Sequence, residues 1–238
     1  MRWFRRRAEA DHPDEGSEEA AEEPRDPAAA AAEFWRRWYE LLPEVNAALG
    51  DREPQRFEHL LSEAVAALHP DLNFAVELGQ QAIYALVVSG QEDPRMRPYT
   101  DAWSALAPQA DAIWEYHDSV PPVPDPTEVT INLGPVKVGL ADIRVVAQVD
   151  EADGMVDVAV HHPEMANLAE AARSAMTFLP LDATLGERLA AQRLRRVETA
   201  VSEPEGTIDL LELRELVHAL AARQLVTAES DDGTDDPQ

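Results

Sequence analysis

The sequence predicts an α+β fold with a largely antiparallel sheet packed by helices, and three observations indicate this class. Apolar residues recur at helical spacing over residues 34–68, alternate with polar residues in short segments between residues 72 and 161, and return to helical spacing after residue 165. Turn residues separate the alternating segments, which is typical of hairpins. Hairpins clustered between helical segments favour an antiparallel sheet with helices set against it.

The folded part of the chain is predicted to begin at an aromatic block, residues 34–39, which holds four of the fourteen aromatic residues. Helical spacing places Phe34 and Trp38 on one stripe, which is typical of core packing. Trp35 and Tyr39 lie on a second stripe beside it, which fits either core packing or an exposed surface. Because Trp and Tyr are frequent in binding hot spots, Trp35 and Tyr39 are candidates for a protein-binding site.

The remaining elements follow from the same periodicities and from turn and capping residues. Pro43 predicts a kink or a new helix start, and Pro54 suits the first position of the next helix, which stops before Pro70. Strands are predicted over short alternating or apolar segments: 72–78, 82–89, 113–120, 128–133, 136–138, 143–149 and 155–161. Further helices are predicted over three segments: 99–106, 165–179 and 208–225. Thr207 is the expected N-cap of the last helix.

Residues 188–201 fit two interpretations. Residue propensities favour a helix across this segment, whereas the alternation of Arg193, Arg195 and Val197 with their neighbours is typical of a strand. From these residues alone, both interpretations stay open.

Composition predicts one α+β domain over residues 33–227 between two disordered tails. Residues 1–32 are basic and then acidic, with nine acids against five arginines, and show no apolar periodicity. Residues 228–238 hold five acids and no base. Segments of this composition bury too little apolar surface to offset the entropy lost on ordering, so we expect both to be disordered.

The formal net charge of −26 limits the classes of partner. Between residues 33 and 227 the acids still outnumber the bases by 32 to 15, so the predicted domain is itself acidic. Such a surface repels phosphate backbones, and we therefore expect no nucleic acid as partner. Acidic surfaces speed the encounter with basic partners, so a basic protein is the expected partner.

Several further classes are disfavoured by what the sequence lacks. It contains no cysteine, which excludes disulfides, thiolate metal ligands and a cysteine nucleophile. No apolar run reaches the roughly eighteen residues of a membrane span, and residues 1–7 lack the apolar segment of a secretory signal, so we expect a cytoplasmic protein. Arginine supplies every basic residue except Lys137, which with the high alanine content is typical of a GC-rich bacterial genome.

Several landmarks occur in a recognisable order along the chain. They are Phe34-Trp35-x-x-Trp38, Phe74-Ala75-Val76-Glu77-Leu78, Leu86-Val87-Val88-Ser89, Ala107-Pro108 before Trp114, and Leu181-Asp182-x-x-Leu185-Gly186-Glu187. Together they resemble an uncharacterised bacterial α+β domain family without an established enzymatic activity, and the resemblance covers residues 33–201. The family pattern implies a strand after Gly186-Glu187, over residues 190–201. Two turns, at residues 89–92 and 116–118, depart from that pattern.

Two histidine-containing pairs, His117-Asp118 and His161-His162, supply side chains of the kind found in metal and catalytic sites. Adjacent histidines on a strand point to opposite faces, so His161 and His162 do not readily share one ion. We interpret this pair as a strand end followed by a helix at Pro163, and we predict neither a metal nor a cofactor. No phosphate-binding loop, dinucleotide, zinc-protease or calcium-loop motif occurs in the sequence.

Four arginines form the densest basic patch of the predicted domain: Arg188, Arg193, Arg195 and Arg196. Arginine forks suit carboxylates and phosphates, so the patch is a candidate binding site for an acidic partner. The alternative is a solvated face that forms ion pairs within an acidic protein.

A second basic segment lies near the start of the chain and consists of Trp3, Phe4, Arg5, Arg6 and Arg7. Its cations and rings suit an anionic membrane surface, to which each cation contributes about 1 kcal/mol. A single short segment attaches only weakly, and the acids from Glu9 onward oppose it. We therefore expect a tail that does not contact the membrane.

Three hypotheses for function follow. The first is a non-catalytic protein-interaction or regulatory module, of which an immunity-type protein is one example; its basis is the acidic domain, the acidic tails and the lack of a catalytic motif. The second is an enzyme with an unrecognised site near the histidine pairs. The third is a weak peripheral membrane protein that binds through residues 1–7. The sequence does not determine the oligomeric state.

Overall fold

The computed structural model describes residues 6–7, 25–91, 93–133 and 136–231. The α+β prediction is confirmed: helices accompany three small sheets in which antiparallel pairing predominates. Contacts divide the chain into two compact units, Met1–Val120 and Pro121–Gln238, each with its own hydrophobic core. The predicted interval of residues 33–227 spans both units, and its description as a single domain stays a prediction.

The first unit contains β1 (Arg6–Arg7) and the long helix α1 (Pro27–Asp51). The side chain of Asp26 caps α1 by accepting the N–H of Ala29 at 3.1 Å, and a proline occupies the first turn. The alanine run that follows has high helix propensity and carries the helix into the aromatic block. Pro43 lies inside α1, which continues past this residue to Asp51.

Two helices and three strands complete the described part of this unit: α2 (Gln55–Leu68), β2 (Asn73–Leu78), β3 (Tyr84–Ser89), α3 (Arg97–Ala105) and β4 (Trp114–His117). The sheet has the order β1-β2-β3-β4; β3 and β4 run parallel, and the other neighbours run antiparallel. Apolar side chains of β2 and β3, such as Phe74, Val76 and Leu86, share one core with α1, α2 and α3.

The second unit contains a hairpin, a three-stranded sheet and three helices: β5 (Thr130–Leu133), β6 (Val136–Gly139), β7 (Arg144–Asp150), β8 (Met155–His161), α4 (Glu170–Leu185), α5 (Glu187–Arg193), β9 (Leu194–Ala200) and α6 (Leu210–Asp231). The sheet has the order β7-β8-β9, with β7 antiparallel and β9 parallel to β8. Alternate residues of β8, namely Val156, Val158 and Val160, are buried and share a core with residues of α4 and α6.

Residues 188–201 contain both structures that the sequence left open. Helix α5 ends at Arg193 and β9 begins at Leu194, so the strand starts four residues later than the family pattern implies. Residues 194–200 are extended because they pair with β8 in parallel, although their local propensity favours a helix.

The predicted cap of α6, Thr207, is wrong. Ile208 forms an antiparallel bridge with Val145, so the chain is still extended there. Asp209 accepts the N–H of Glu212 at 2.8 Å, and Glu212 accepts the N–H of Asp209 at 2.9 Å. This reciprocal pair of hydrogen bonds is a capping box, and α6 therefore begins at Leu210, two residues later than predicted.

The predicted tails lie mainly outside the described residues, which leave out 1–5, 8–24 and 232–238. Where the tails are described, they contain regular structure at three places, the first of which is β1 at Arg6–Arg7. Residues 27–32 belong to α1, because the cap at Asp26 and the alanine run extend the helix toward the N-terminus. Residues 228–231 belong to α6.

Candidate functional site

Three exposed aliphatic side chains lie at one end of the first sheet. Leu78, Ile83 and Ile113, called here the apolar rim, have exposed fractions of 54%, 55% and 42%. They lie at the same end because β2 finishes at Leu78 while β3 and β4 begin directly after Ile83 and Ile113. The N–H of Tyr84 donates to the carbonyl of Ile113 at 2.8 Å and thereby ties the two strand starts together. Single exposed aliphatic residues are ordinary, but neighbouring ones are typical of interaction surfaces, and Ile83 and Ile113 are neighbours because they precede the paired residues Tyr84 and Trp114.

The turn between β2 and β3 is held by a buried carboxylate. Glu115, on β4, is only 6% exposed. Its two carboxylate oxygens accept the backbone N–H groups of Gln80 at 2.8 Å, Gln81 at 2.8 Å and Ala82 at 2.9 Å. Three successive N–H groups of the turn therefore converge on one side chain, which holds the backbone between Leu78 and Ile83 in place.

Gly79 is required because the backbone of Ala82 and the carboxylate of Glu115 both lie close to its Cα atom. A Cβ atom at this position would lie 2.6 Å from the carbonyl oxygen of Ala82 and 3.1 Å from the carboxyl carbon of Glu115. The first distance is shorter than a Cβ atom tolerates and is to backbone, which cannot rotate away, while the second is a tight contact. The turn and the carboxylate therefore depend on a residue without a side chain at position 79.

The carboxylate of Glu115 also has a histidine partner on its own strand. Nε2 of His117 lies 3.0 Å from Oε1 of Glu115. Burial by itself raises the pKa of Glu115, but the N–H donors of the turn and the His117 ring outweigh burial and lower the pKa from 4.5 to about 2. Glu115 is therefore ionised throughout the physiological range and is a very weak base.

We expect the stability of the first unit to depend on pH through Glu115. A carboxylate whose pKa is lower in the folded state contributes stability above its unfolded pKa and loses it as the pH falls through the folded value. The unfolding free energy of the native chain minus that of Glu115→Gln should therefore be largest above pH 4.5 and shrink toward pH 2. Denaturant unfolding monitored by tryptophan fluorescence measures this difference, since all five tryptophans lie in the first unit. A difference that stays constant over this range would contradict the assignment.

The two candidate residues of the aromatic block, Trp35 and Tyr39, differ in their exposure to solvent. Trp35 is buried, so of its two interpretations core packing holds, and it does not lie on an exposed binding surface. Its ring stacks on Trp103 with centroids 4.8 Å apart, and its Nε1–H donates to the Trp103 carbonyl at 2.8 Å. Tyr39 is 58% exposed on the same helix and stays a candidate surface residue.

The four arginines of the predicted basic patch do not form one open site. Nε and Nη2 of Arg195 donate to the two carboxylate oxygens of Asp157 at 3.1 and 2.9 Å. Nη1 of the same guanidinium lies 3.2 Å from a carboxylate oxygen of Asp150. The hydrogen bonds that Arg195 donates to Asp157 and Asp150 raise the pKa of Arg195. Its charge is thus compensated by acids of the β7–β8 hairpin, which disfavours binding of an acidic partner at this residue.

The other three arginines have different surroundings. Arg193 donates to the carbonyl of Gly154 at 3.2 Å, and Arg188 lies half-buried on α5. Arg196 is exposed, forms an ion pair with Glu198 and lines a shallow cavity of about 120 Å³ on the outer face of the β7-β8-β9 sheet. A cavity of this size is below the range of about 300–1,000 Å³ that holds a typical ligand.

The histidine pairs have local hydrogen-bonding roles in separate units. The ring of His161 donates to the carbonyl of Ala200, the last residue of the parallel strand β9, at 3.0 Å. His162 accepts the N–H of Glu164 at 3.1 Å and caps the short 3₁₀ turn at Pro163, and its pKa is lowered by burial. Among the residues that the structure describes, no group of His, Asp or Glu side chains is placed to hold a metal ion.

The candidate membrane segment lies mostly outside the described residues. Trp3, Phe4 and Arg5 are not described, while the backbone of Arg6 and Arg7 forms β1 beside β2. Within the described ranges, no helix combines the length and the apolar character needed to cross a membrane.

Sequence reasoning missed Glu115 and the apolar rim. A signal was present, since Glu115 lies between Trp114 and Tyr116 in a predicted strand, and a charged residue between aromatic neighbours calls for a partner. The partners are backbone groups of a turn more than thirty residues earlier, which no local pattern identifies.

Comparisons with known proteins add no further constraint. No protein-family model matches the chain, and neither a curated protein nor a solved structure matches it significantly.

Proposed function

We propose that the protein is a non-catalytic protein-interaction or regulatory module of the cytoplasm, which binds a basic partner protein through the apolar rim. The observation that carries this proposal is a pair of neighbouring exposed aliphatic side chains, Ile83 and Ile113, beside a turn whose backbone is fixed by a buried carboxylate. A surface ordered before binding loses little conformational entropy when a partner docks, which favours affinity.

Charge supports the choice of partner. Residues 25–120 contain sixteen acids and seven arginines, so the unit that carries the apolar rim is itself acidic. Leu78 follows Glu77, and Asp111 precedes Ile113 by two residues, so acids lie close to the rim in the chain. A partner with apolar side chains in a basic surrounding fits this combination, because opposite charges speed encounter while apolar contact supplies affinity.

Membership in the uncharacterised bacterial family, and with it an immunity-type role, belongs to the same proposal. The enzyme hypothesis has less support. Glu115 is too weak a base for proton transfer near neutral pH, and each histidine ring described above already has a hydrogen-bonding partner.

A paired binding experiment tests the proposal. The native chain, the variant Ile83→Ser/Ile113→Ser and the variant Leu106→Ser are immobilised and exposed to extract of the native host at low salt. Serine removes the aliphatic surface without adding charge, and Leu106 is a matched control because it is 49% exposed and lies in the same unit. We expect a basic protein to be retained by the native chain and the Leu106 variant, and to be lost with the rim variant.

Two results would contradict the proposal. One is equal retention of the same protein by all three chains, since the rim would then play no part. The other is the absence of any protein retained in stoichiometric amount by the native chain. Unfolding curves followed by tryptophan fluorescence establish that the rim variant is folded, which separates a lost surface from a lost fold.

A further inference from the structure

The β7-β8-β9 sheet has one edge that is partly covered and one that is not. At the edge formed by β7, Val145 exchanges two backbone hydrogen bonds of 2.8 Å with Ile208. At the other edge, β9 pairs with β8 from Leu194 to Ala200, and no other strand among the described residues lies beside it. An edge strand leaves the N–H and C=O groups of alternate residues unpaired, so β9 can accept a further strand.

Side chains along β9 are open to solvent. Those of Arg195, Arg196 and Glu198 have exposed fractions of 45%, 69% and 53%. Thr199 is exposed as well, although its hydroxyl lies 2.7 Å from the hydroxyl of Thr177 on α4. Helix α4 therefore contacts β9 at Thr199 without burying that residue, and the charged side chains are accessible to a second molecule.

The order of charges on β9 is self-complementary. Arg196 and Glu198 flank Val197 and share the outer face of the sheet. When the same edge of a second copy pairs antiparallel with β9 about Val197, Arg196 of each copy lies opposite Glu198 of the other. Opposite charges at directly paired positions stabilise a strand pair, and like charges destabilise it. A parallel pairing in register would instead place like charges opposite each other.

Charged side chains on an edge strand also serve to prevent strand addition, and β9 departs from that use in two ways. The charge of Arg195 is compensated by Asp157 and Asp150, so this residue adds little repulsion. Arg196 and Glu198 carry opposite signs, so they disfavour strands without the matching order of charges and suit a second copy in antiparallel order.

We propose that β9 is a self-association site, at which two copies of this chain join edge to edge through antiparallel β9–β9 pairing about Val197. Twofold symmetry repeats each contact, so the interface contains two Arg196–Glu198 ion pairs and joins two three-stranded sheets into one. This inference does not rest on the apolar rim, because the rim lies in the first unit and β9 in the second.

Charge reversal at two positions of the full chain tests this pairing. Arg196→Glu places carboxylates opposite each other between the copies, and Glu198→Arg places guanidinium groups opposite each other. An equimolar mixture of the two variants restores opposite charges at both contacts. Arg223→Glu is the matched control, since Arg223 is an arginine of the same unit that is 67% exposed and forms an ion pair with Glu151.

Sedimentation equilibrium measures the dimer dissociation constant of each chain and of the mixture. The ionic strength is held at about 0.15 M, where the screening length is about 8 Å. This weakens the general repulsion between two chains of formal charge −26 and leaves the pairs in direct contact effective. Far-ultraviolet circular dichroism establishes that each variant is folded, and hydrogen exchange of the native chain below and above its dissociation constant locates the contact.

We expect the native chain and Arg223→Glu to dimerise with similar dissociation constants, and each β9 variant alone to dimerise about tenfold more weakly or worse. The equimolar mixture should regain the native affinity, and amides of β9 should gain protection in the native dimer. A native chain that stays monomeric, a β9 variant that dimerises as tightly as the native chain, a mixture that regains no affinity, or protection confined to other segments would overturn the proposal.

Discussion

Replacing Glu115 by alanine is expected to lower the unfolding free energy of the first unit by about 2–4 kcal/mol, because it removes the acceptor of three backbone N–H groups. Each buried donor left without an acceptor costs about 1–3 kcal/mol. The total stays below the sum of three such costs because Gln80 and Gln81 are exposed residues, and water can reach part of the turn. Denaturant unfolding followed by tryptophan fluorescence measures the change in this unit.

Glu40→Ala is the control for the loss of one carboxylate. Glu40 is exposed on α1 and forms an i,i+4 ion pair with Arg36, an arrangement that contributes less than about 1 kcal/mol. Hydrogen exchange gives a second readout, since the amides of residues 80–82 should lose protection in Glu115→Ala and keep it in Glu40→Ala. Equal, small effects of the two substitutions would show that Glu115 does not hold the turn.

Truncation of Trp35 should destabilise the first unit by about 3–5 kcal/mol, the range measured for large aromatic side chains removed from a core. Trp35 is 4% exposed, stacks on Trp103 and meets Tyr116 edge-on with centroids 5.0 Å apart. Its neighbour on the second helical stripe, Tyr39, is exposed, so Tyr39→Ala should change the unfolding free energy by no more than about 0.5 kcal/mol.

The pair Trp35→Ala and Tyr39→Ala separates a core position from a surface position on one helix. Denaturation curves of the two variants, compared with the native chain, provide the measurement. A small effect of Trp35→Ala, or a large effect of Tyr39→Ala, would contradict the packing of α1 against α3.

Local patterns predicted those elements whose side chains alternate cleanly. Strand β8 has the predicted bounds, residues 155–161, because its buried valines alternate with half-buried residues. Helix α2 ends at Leu68, directly before His69-Pro70, as predicted. The start of α1 was missed because the alanine run has no apolar periodicity, although its helix propensity and the cap at Asp26 extend the helix.

The candidate site depends on contacts that are distant in sequence, and this explains why the sequence did not identify it. Trp35 is covered by Trp103, 68 positions away, so helical spacing alone could not separate its burial from the exposure of Tyr39. Glu115 binds a turn 33 to 35 positions earlier. Ile83 and Ile113 become neighbours only through the parallel pairing of β3 with β4.

Site-specific photo-crosslinking shows whether the apolar rim contacts a partner protein. A photoreactive amino acid is placed at Ile83 in one chain and at Leu106 in another, and both chains are irradiated in extract of the native host. We expect a single, basic protein to be crosslinked at position 83 and not at position 106. The same crosslinks at both positions, or none at position 83 from a folded chain, would contradict this expectation.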